Sequence, residues 1–594
     1  MEASCVARRI LLAGMLVLVS TPHEACAATA ANARSPLGMN LLQMSYYSAE
    51  QPFLDIFKTT GVSQATPRGW TTHSSSTWDT GEEGYLQLDA AGYPRTLSAS
   101  SSDPHSPQLF TSVGVLLLRD LPKANADAGL PYRPGRYIVL YDGQGTLEYG
   151  IDATLVSASP GRDLIEVAQP TQGGIDLRIT STDPHHTGSY IHNIRVVKAE
   201  EEPLLRAGQV FRAGYLGLLQ RFKVLRGMQW LNVNEEAGGG LTRWSDRPLP
   251  SDAGWGSKRG VPLEVVVQLC NAAGADCWLN VPHQASDDYI TSMAMLAHST
   301  LGSSQKIYIE LSNEVWNPIY GQYRYAVERG RAAWPKAGLR PDEYNRNWLG
   351  MRTARMCDIW TAVWAGDASR VICVLGAQSA DPESATQALI CPLWVGPGNG
   401  PCFKHHIGAV AIAAYFGFSV PAAWTSQRDG GLTQLFASMN TQNDPSIPQG
   451  GWLGALSRSV AAVHAAVAPY GLPLIGYEGG QSFVGFPKYD DNSPLVRLYI
   501  AANRDPRMAA VYSAALSNWR TGGGELLALF GDVSAANKYG EWGALESFMD
   551  TVEPLGKAPP KWSAIQTFIS ATPCWWRECT GRAADSGADH TAAQ

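Results

Sequence analysis

From Val210 onward the chain alternates between two hydrophobic rhythms. Short β-prone apolar runs recur at Val224 to Leu231, Cys277 to Val281, Ile307 to Ser312, Val371 to Leu375, Val410 to Tyr415, Leu474 to Tyr477 and Val511 to Ser517. Between several of them, at Asp287 to Leu296, Asp342 to Val363 and Leu453 to Ala468, apolar residues fall three and four apart, the spacing of one helix face. Strand and helix in alternation signal βα units around a parallel sheet. The apolar segment Leu37 to Tyr47, followed by a short helical stretch, brings the strands to eight, the number that closes a barrel.

Between Thr60 and Ala199 the texture changes. Ser, Thr, Gly and Pro become dense, and alternating runs such as Tyr137 to Tyr141, Leu164 to Ala168 and Ile175 to Ile179 are separated by turn signals. The predicted fold class is therefore α/β: a (β/α)8 TIM barrel with an all-β, sandwich or jelly-roll-like domain inserted between the first and second barrel strands. On this division residues 36–59 open the barrel, 60–199 form the insertion and 200–572 complete the barrel. Residues 580–594 are small and polar and predict a disordered tail. Structural support and carbohydrate binding both remain open as roles for the insertion.

Charge and composition narrow the function. A net charge of −7 and a pI near 6.0 provide no basic field for a nucleic-acid backbone, so no nucleic-acid partner is expected. At the N-terminus, Arg8 and Arg9 precede an apolar run from Ile10 to Val19 and small residues around Ala25-Cys26-Ala27. That order predicts a cleaved secretory signal over residues 1–30, hence a secreted or periplasmic protein without a membrane partner after cleavage, expected to act as a monomer. Of ten cysteines, eight then remain, and an even number in an exported chain favours disulfides. Local spacing suggests Cys270 with Cys277, Cys391 with Cys402, and Cys574 with Cys579, leaving Cys357 and Cys373 as a possible fourth pair; sequence does not fix the connectivity. No zinc-type spacing is present and no metal or organic cofactor is expected. The sequence contains no Gly-x-Ser-x-Gly elbow, His-Glu-x-x-His or phosphate-binding Gly-x-x-x-x-Gly-Lys motif.

The most informative segment is Lys306-Ile-Tyr-Ile-Glu-Leu-Ser-Asn-Glu-Val-Trp-Asn317, where a β-run ends in Asn313-Glu314. A second carboxylate occupies the same context in Leu474-Ile-Gly-Tyr-Glu478-Gly-Gly. Barrels present chemistry at the carboxyl ends of their strands, and these two Glu residues would follow the fourth and seventh strands. Asn-Glu after the fourth strand and Glu after the seventh resemble the clan A glycoside hydrolases, over about residues 36–60 and 210–570. The resemblance implies a carbohydrate substrate, polysaccharide or oligosaccharide and β-linked by expectation, cleaved with net retention by two carboxyl groups about 5–5.5 Å apart. Glu478 would be the nucleophile and Glu314 the acid/base.

The same resemblance assigns substrate-side roles. Arg226 would keep Glu478 ionised, Asn313 would donate to the sugar 2-hydroxyl, and Tyr415 would hydrogen-bond the nucleophile. Trp519, read as the end of the eighth strand, would floor the sugar. His283 after the third strand would be a polar contact. By their position near strand ends, Trp230 and Trp316, with Trp244, Trp255 and Trp424, are candidates to stack on sugars along a cleft, and the sequence leaves open which of them do so. Glu310, inside the fourth strand, reads as a buried partner of Arg226 rather than a catalytic group. Two alternatives remain: an exo-acting enzyme such as an arabinofuranosidase on the same barrel, and a non-catalytic carbohydrate-binding protein on a decayed one.

Overall fold

The computed structural model describes residues 32–63, 69–97, 110–122, 129–234, 240–335, 339–551, 559–576 and 579. The expected signal over residues 1–30 and the tail over 580–594 lie outside the described residues. The chain enters through strand β1 (Leu37–Asn40) and then forms eight antiparallel strands: β2 (Thr71–His73), β3 (Ser112–Leu117), β4 (Gly135–Asp142), β5 (Gly145–Ile151), β6 (Ala153–Ser159), β7 (Arg162–Val167), β8 (Ile175–Thr182) and β9 (His192–Lys198). Seven further strands follow: β10 (Val224–Arg226), β11 (Asp276–Val281), β12 (Ile307–Leu311), β13 (Val371–Gly376), β14 (Ile407–Phe416), β15 (Leu474–Gln481) and β16 (Gly524–Phe530).

Strand β1 and strands β10 to β16 pair in parallel and close into an eight-stranded barrel with helices around it, the architecture of a (β/α)8 TIM barrel. Side chains alternate across the wall. In β12, Ile307, Ile309 and Leu311 join the large apolar cluster shared with the outer helices, whereas Tyr308 joins the barrel-interior cluster with Val224, Trp278 and Tyr477. The same period of two turns Glu310 inward. Cys574 and Trp576 pack into this interior cluster from the C-terminal segment.

The antiparallel strands form two four-stranded sheets, in the orders β2-β3-β8-β5 and β6-β7-β4-β9. One buried core joins them: Val113, Leu177 and Ile179 of the first sheet meet Val139, Ile165 and Val196 of the second. Phe57, from the short helix after β1, packs into that core too, so barrel and sheets are in direct contact.

The eighth strand is not where the apolar pattern placed it. Residues 511–517 lie within a helix, Arg507–Thr521, whose buried positions Met508, Val511, Tyr512, Ala515, Leu516 and Trp519 recur at three and four. The strand itself is Gly524–Phe530. Trp519 therefore packs beneath the start of β16, where its indole Nε1 donates to the Glu525 carbonyl at 2.7 Å. A Cβ at Gly524 would lie 2.2 Å from the Trp519 ring, so this close approach requires glycine.

Four disulfides join Cys270 to Cys277, Cys357 to Cys373, Cys391 to Cys402 and Cys574 to Cys579. Among the described residues no helix is long and apolar enough to cross a membrane.

Candidate active site

Strand ends converge on one guanidinium. Arg226, the last residue of β10, is wholly buried, and a buried charge must be paired to persist. Its Nε and Nη2 each donate to Glu310 at 3.0 Å, and Nη2 also donates to Asn313 Oδ1 at 2.7 Å. Nη1 donates to Glu478 Oε1 and to Asn40 Oδ1, both at 2.9 Å. Glu310 is further held by Trp278 Nε1 and Asn280 Nδ2, both at 2.9 Å. With its oxygens occupied inside the barrel, Glu310 serves as a fixed counter-charge to Arg226. Strand register builds this layer: β1 sets Asn40 beside Arg226, and β11 sets Asn280 beside Glu310.

Glu478 reaches the same point because β15 carries an irregularity. Ile412 of β14 pairs with Gly476 and Ala413 with Glu478, which skips Tyr477. A bulge of this kind breaks strict alternation and re-aims side chains. Tyr477 thus joins the interior cluster while the next residue, Glu478, still turns inward to Arg226. The second carboxylate oxygen accepts from the Tyr415 hydroxyl at 2.8 Å. Burial pushes the Glu478 carboxyl up, and Arg226 and Tyr415 oppose that rise.

Glu314 sits on a tight turn past the end of β12, with Ser312 at φ 55° and Glu314 at φ 43°. Left-handed backbone in non-glycine residues costs on the order of 1 kcal/mol each and recurs at functional sites. One Glu314 oxygen accepts from the Tyr477 hydroxyl at 3.1 Å and the other from Asn317 Nδ2 at 2.8 Å. Burial, and then the neighbouring Glu478 charge, push its carboxyl from 4.5 up to about 7. The pair is therefore unequal: Glu478, beside Arg226, ionises first, and its charge holds the proton on Glu314.

Both carboxyls open into one cleft of about 570 Å³, with Asn313, Tyr320, Tyr415, Phe530 and Trp542 in its walls. Asn313 is braced from behind: Gln322 Nε2 donates to its carbonyl at 2.7 Å and to Asn234 Oδ1 at 2.9 Å. Glu50 also lies in the wall, but it is 1% exposed and accepts from the Leu42 amide, and its partner Asp532 takes the Tyr215 hydroxyl. Among the described residues no group of three or more His, Cys, Asp or Glu is arranged to hold a metal ion.

Of the residues singled out from sequence, Glu314, Glu478, Asn313, Arg226 and Tyr415 come together, whereas seven others lie elsewhere. Trp230 follows β10 in a tight turn that carries its ring into the core against Phe53 and Tyr215, so it has no face for a ligand. His283, just past β11, turns into the wall of a different cavity with its ring edge-on to Tyr325 at 5.1 Å. Trp316 is half-buried and outside the cleft wall, and Trp519 lies under the opposite end of β16. Trp244, Trp255 and Trp424 are absent from the cleft as well. Conversely, sequence reasoning passed over Asn40, Tyr477, Asn317 and Trp542. Asn317 closes the motif that holds Glu314, and Tyr477 precedes Glu478; both were visible as neighbours of the carboxylates.

No family model matches the chain, and no curated protein matches it. Solved structures similar to it include a GH5-4 broad specificity endoglucanase from Clostridum cellulovorans, with TM-score 0.31 and 11% identity over 60% of this chain and 87% of that one. A β-glucosidase from Thermotoga maritima in complex with castanospermine gives TM-score 0.32 and 11% identity over 60% of this chain and 84% of that one. A family 5 xyloglucanase from Paenibacillus pabuli gives 0.34 and 11% over 60% and 89%. The chemistry below rests on the side chains alone.

Proposed function

We propose that this chain is a retaining glycoside hydrolase, with Glu478 as nucleophile and Glu314 as acid/base. The observation that carries the reading is the unequal pair: Glu478 held by Arg226 and Tyr415, and Glu314 in the same cleft with its carboxyl raised to about 7.

In the first step the Glu478 carboxylate attacks the anomeric carbon while the Glu314 carboxyl gives its proton to the departing oxygen. The product is a glycosyl ester on Glu478, in which burial of Glu314 persists but the Glu478 charge, the second cause of its raised carboxyl, has been consumed. The Glu314 carboxylate is then the weaker base that its bond to Asn317 favours, and it takes a proton from the water that attacks the same carbon. Glu478 leaves as a carboxylate, again paired with Arg226. Two inversions at one carbon give net retention. The Glu50 and Asp532 carboxyls are tied to each other, to Leu42 and to Tyr215, which favours Glu314 and Glu478 over them.

Residues 60–199 form an inserted domain, supported by the shared core of the two antiparallel sheets. Its loop after β3 supplies Asp120 and Pro122 to the cleft wall, so it helps shape the substrate's path. Export is supported by four disulfides, which persist in oxidising compartments.

The test is a screen of purified protein against neutral and acidic polysaccharides, with Glu314→Gln and Glu478→Gln in parallel and the anomeric form of the first product read by NMR. The expected result is hydrolysis with retention, reduced by about a thousandfold or more in each variant. Hydrolysis that survives Glu478→Gln overturns the assignment.

A further inference from the structure

We infer that the chain carries a second ligand site, outside the cleft, that takes a carboxylate-bearing saccharide. A cavity of about 710 Å³ lies where the loop after β11 meets the helices Gly321–Ala333 and Pro341–Val363. It shares no wall residue with the cleft of Glu314 and Glu478. Its volume falls in the range of sites for small ligands.

The charges of its wall do not balance. Three arginines, Arg329, Arg352 and Arg355, face one carboxylate, Asp287. Arg352 is committed, with Nη1 on Asp287 and Nη2 on the Ala285 carbonyl. Arg329 and Arg355 have no carboxylate partner among the described residues. Each stands only over a ring, Arg329 at 6.0 Å from the centre of Tyr325 and Arg355 at 6.0 Å from that of Trp394. They project from separate helices into one hollow, so two unneutralised guanidinium groups converge in a protein whose net charge is −7. Planar guanidinium forks are suited to carboxylates, which they grip through paired hydrogen bonds.

The rest of the wall is aromatic. Trp334 and Trp394, both half-buried, line the same hollow over the buried Trp348, and indole faces of this kind pack against the flat apolar side of a pyranose. His283 is 4% exposed, and its Nδ1 has no hydrogen-bond partner among the described residues. Burial lowers its pKa to about 4, so at neutral pH it adds a polar group without a charge. Rings together with free guanidinium groups describe an acidic sugar. The choice of a sugar over another small acid rests on the glycosidase reading; the preference for negative charge does not.

The experiment uses full-length protein carrying Glu478→Gln, so that no probe is consumed, and follows tryptophan fluorescence and calorimetry with a linear trimer of galacturonic acid. The control probe is the same trimer fully methyl-esterified. Saturable binding of the acid is expected, about tenfold or more tighter than that of the ester and weakened by salt. The double substitution Arg329→Ala with Arg355→Ala should weaken it by about tenfold or more, and Trp394→Ala should also weaken it, while Trp542→Ala in the cleft leaves it unchanged. Equal binding of acid and ester, unchanged binding in the arginine variant, or no saturable binding overturns the inference. Both arginines are exposed, so the variant should keep its melting temperature. Because the readout is binding, its failure is separate from that of the glycosidase reading, which is judged by hydrolysis.

Discussion

Arg226 Nη1 lies 2.9 Å from Glu478 Oε1, while the other edge of the same guanidinium is occupied by Glu310. One wholly buried cation thus serves two buried carboxylates. Removing it with Arg226→Met would strand both, and breaking a buried pair from one side costs about 3–5 kcal/mol. The expected outcome is a large drop in melting temperature together with loss of activity. Arg226→Lys keeps the charge but cannot span Glu310, Glu478 and Asn313 at once, so it should retain more stability while still losing about a hundredfold or more in kcat. Thermal melts and kcat measured side by side decide between these effects.

The raised carboxyl of Glu314 has consequences in opposite directions for activity and stability. Activity needs the proton, so kcat/KM should fall as pH rises through about 7. Stability is governed by the same shift: with a folded value above the ordinary 4.5, ionisation costs nothing below 4.5 and its cost grows to completion above about 7. Glu314→Gln should therefore be more stable than the parent at pH 8, by about 1–3 kcal/mol, with the advantage vanishing at pH 4. Denaturant melts at the two pH values check this, and an advantage that is larger in acid would refute it.

Tyrosine hydroxyls tune the two carboxylates separately. Tyr415→Phe removes a donor from Glu478, which should move the acid limb of the rate profile upward and lower kcat by about tenfold to a hundredfold. Tyr477→Phe removes a donor from Glu314, so there the alkaline limb should move to higher pH. Rate profiles of both variants test the assignment, since exchanged roles for the two glutamates would exchange the limbs.

Legibility in the sequence followed the physics of each element. Short apolar runs such as Ile307–Leu311 stood out, and Glu314 and Glu478 could be read because each follows such a run. The eighth strand, Gly-Glu-Leu-Leu-Ala-Leu-Phe, has no β-branched residue and passes for helix, whereas Val511-Tyr512 inside the preceding helix looks β-prone. That exchange carried Trp519 to the wrong place. Asn40 was hidden because its role depends on register between β1 and β10, which no local pattern encodes. Tyr477 alternates inward with Ile475, but alternation alone sends the next residue, Glu478, outward; only the irregularity in β15 brings the hydroxyl and the carboxylate to the same side, so the role of Tyr477 was hidden. His283 and Trp230 were near the correct strand ends, but the turns that aim them are tertiary outcomes.

Two tryptophans near the eighth strand should respond oppositely to truncation. Trp519 is 1% exposed and packed flat against Gly524, so Trp519→Ala opens a cavity in the core and should cost about 3–5 kcal/mol, with little change in KM for the molecules that remain folded. Trp542 lies in the loop after β16, in the cleft wall, with its ring centre 5.5 Å from that of Tyr415 and its Nε1 on the Tyr539 carbonyl. It is half-buried and supports no core, so Trp542→Ala should leave the melting temperature nearly unchanged. Its loss removes an aromatic face beside Glu478, and KM for an oligosaccharide should rise by about tenfold, the value of a stacking contact of about 1–2 kcal/mol. If Trp519→Ala instead raises KM while Trp542→Ala only destabilises, the sugar lies against a different surface and the floor of the site has to be reassigned.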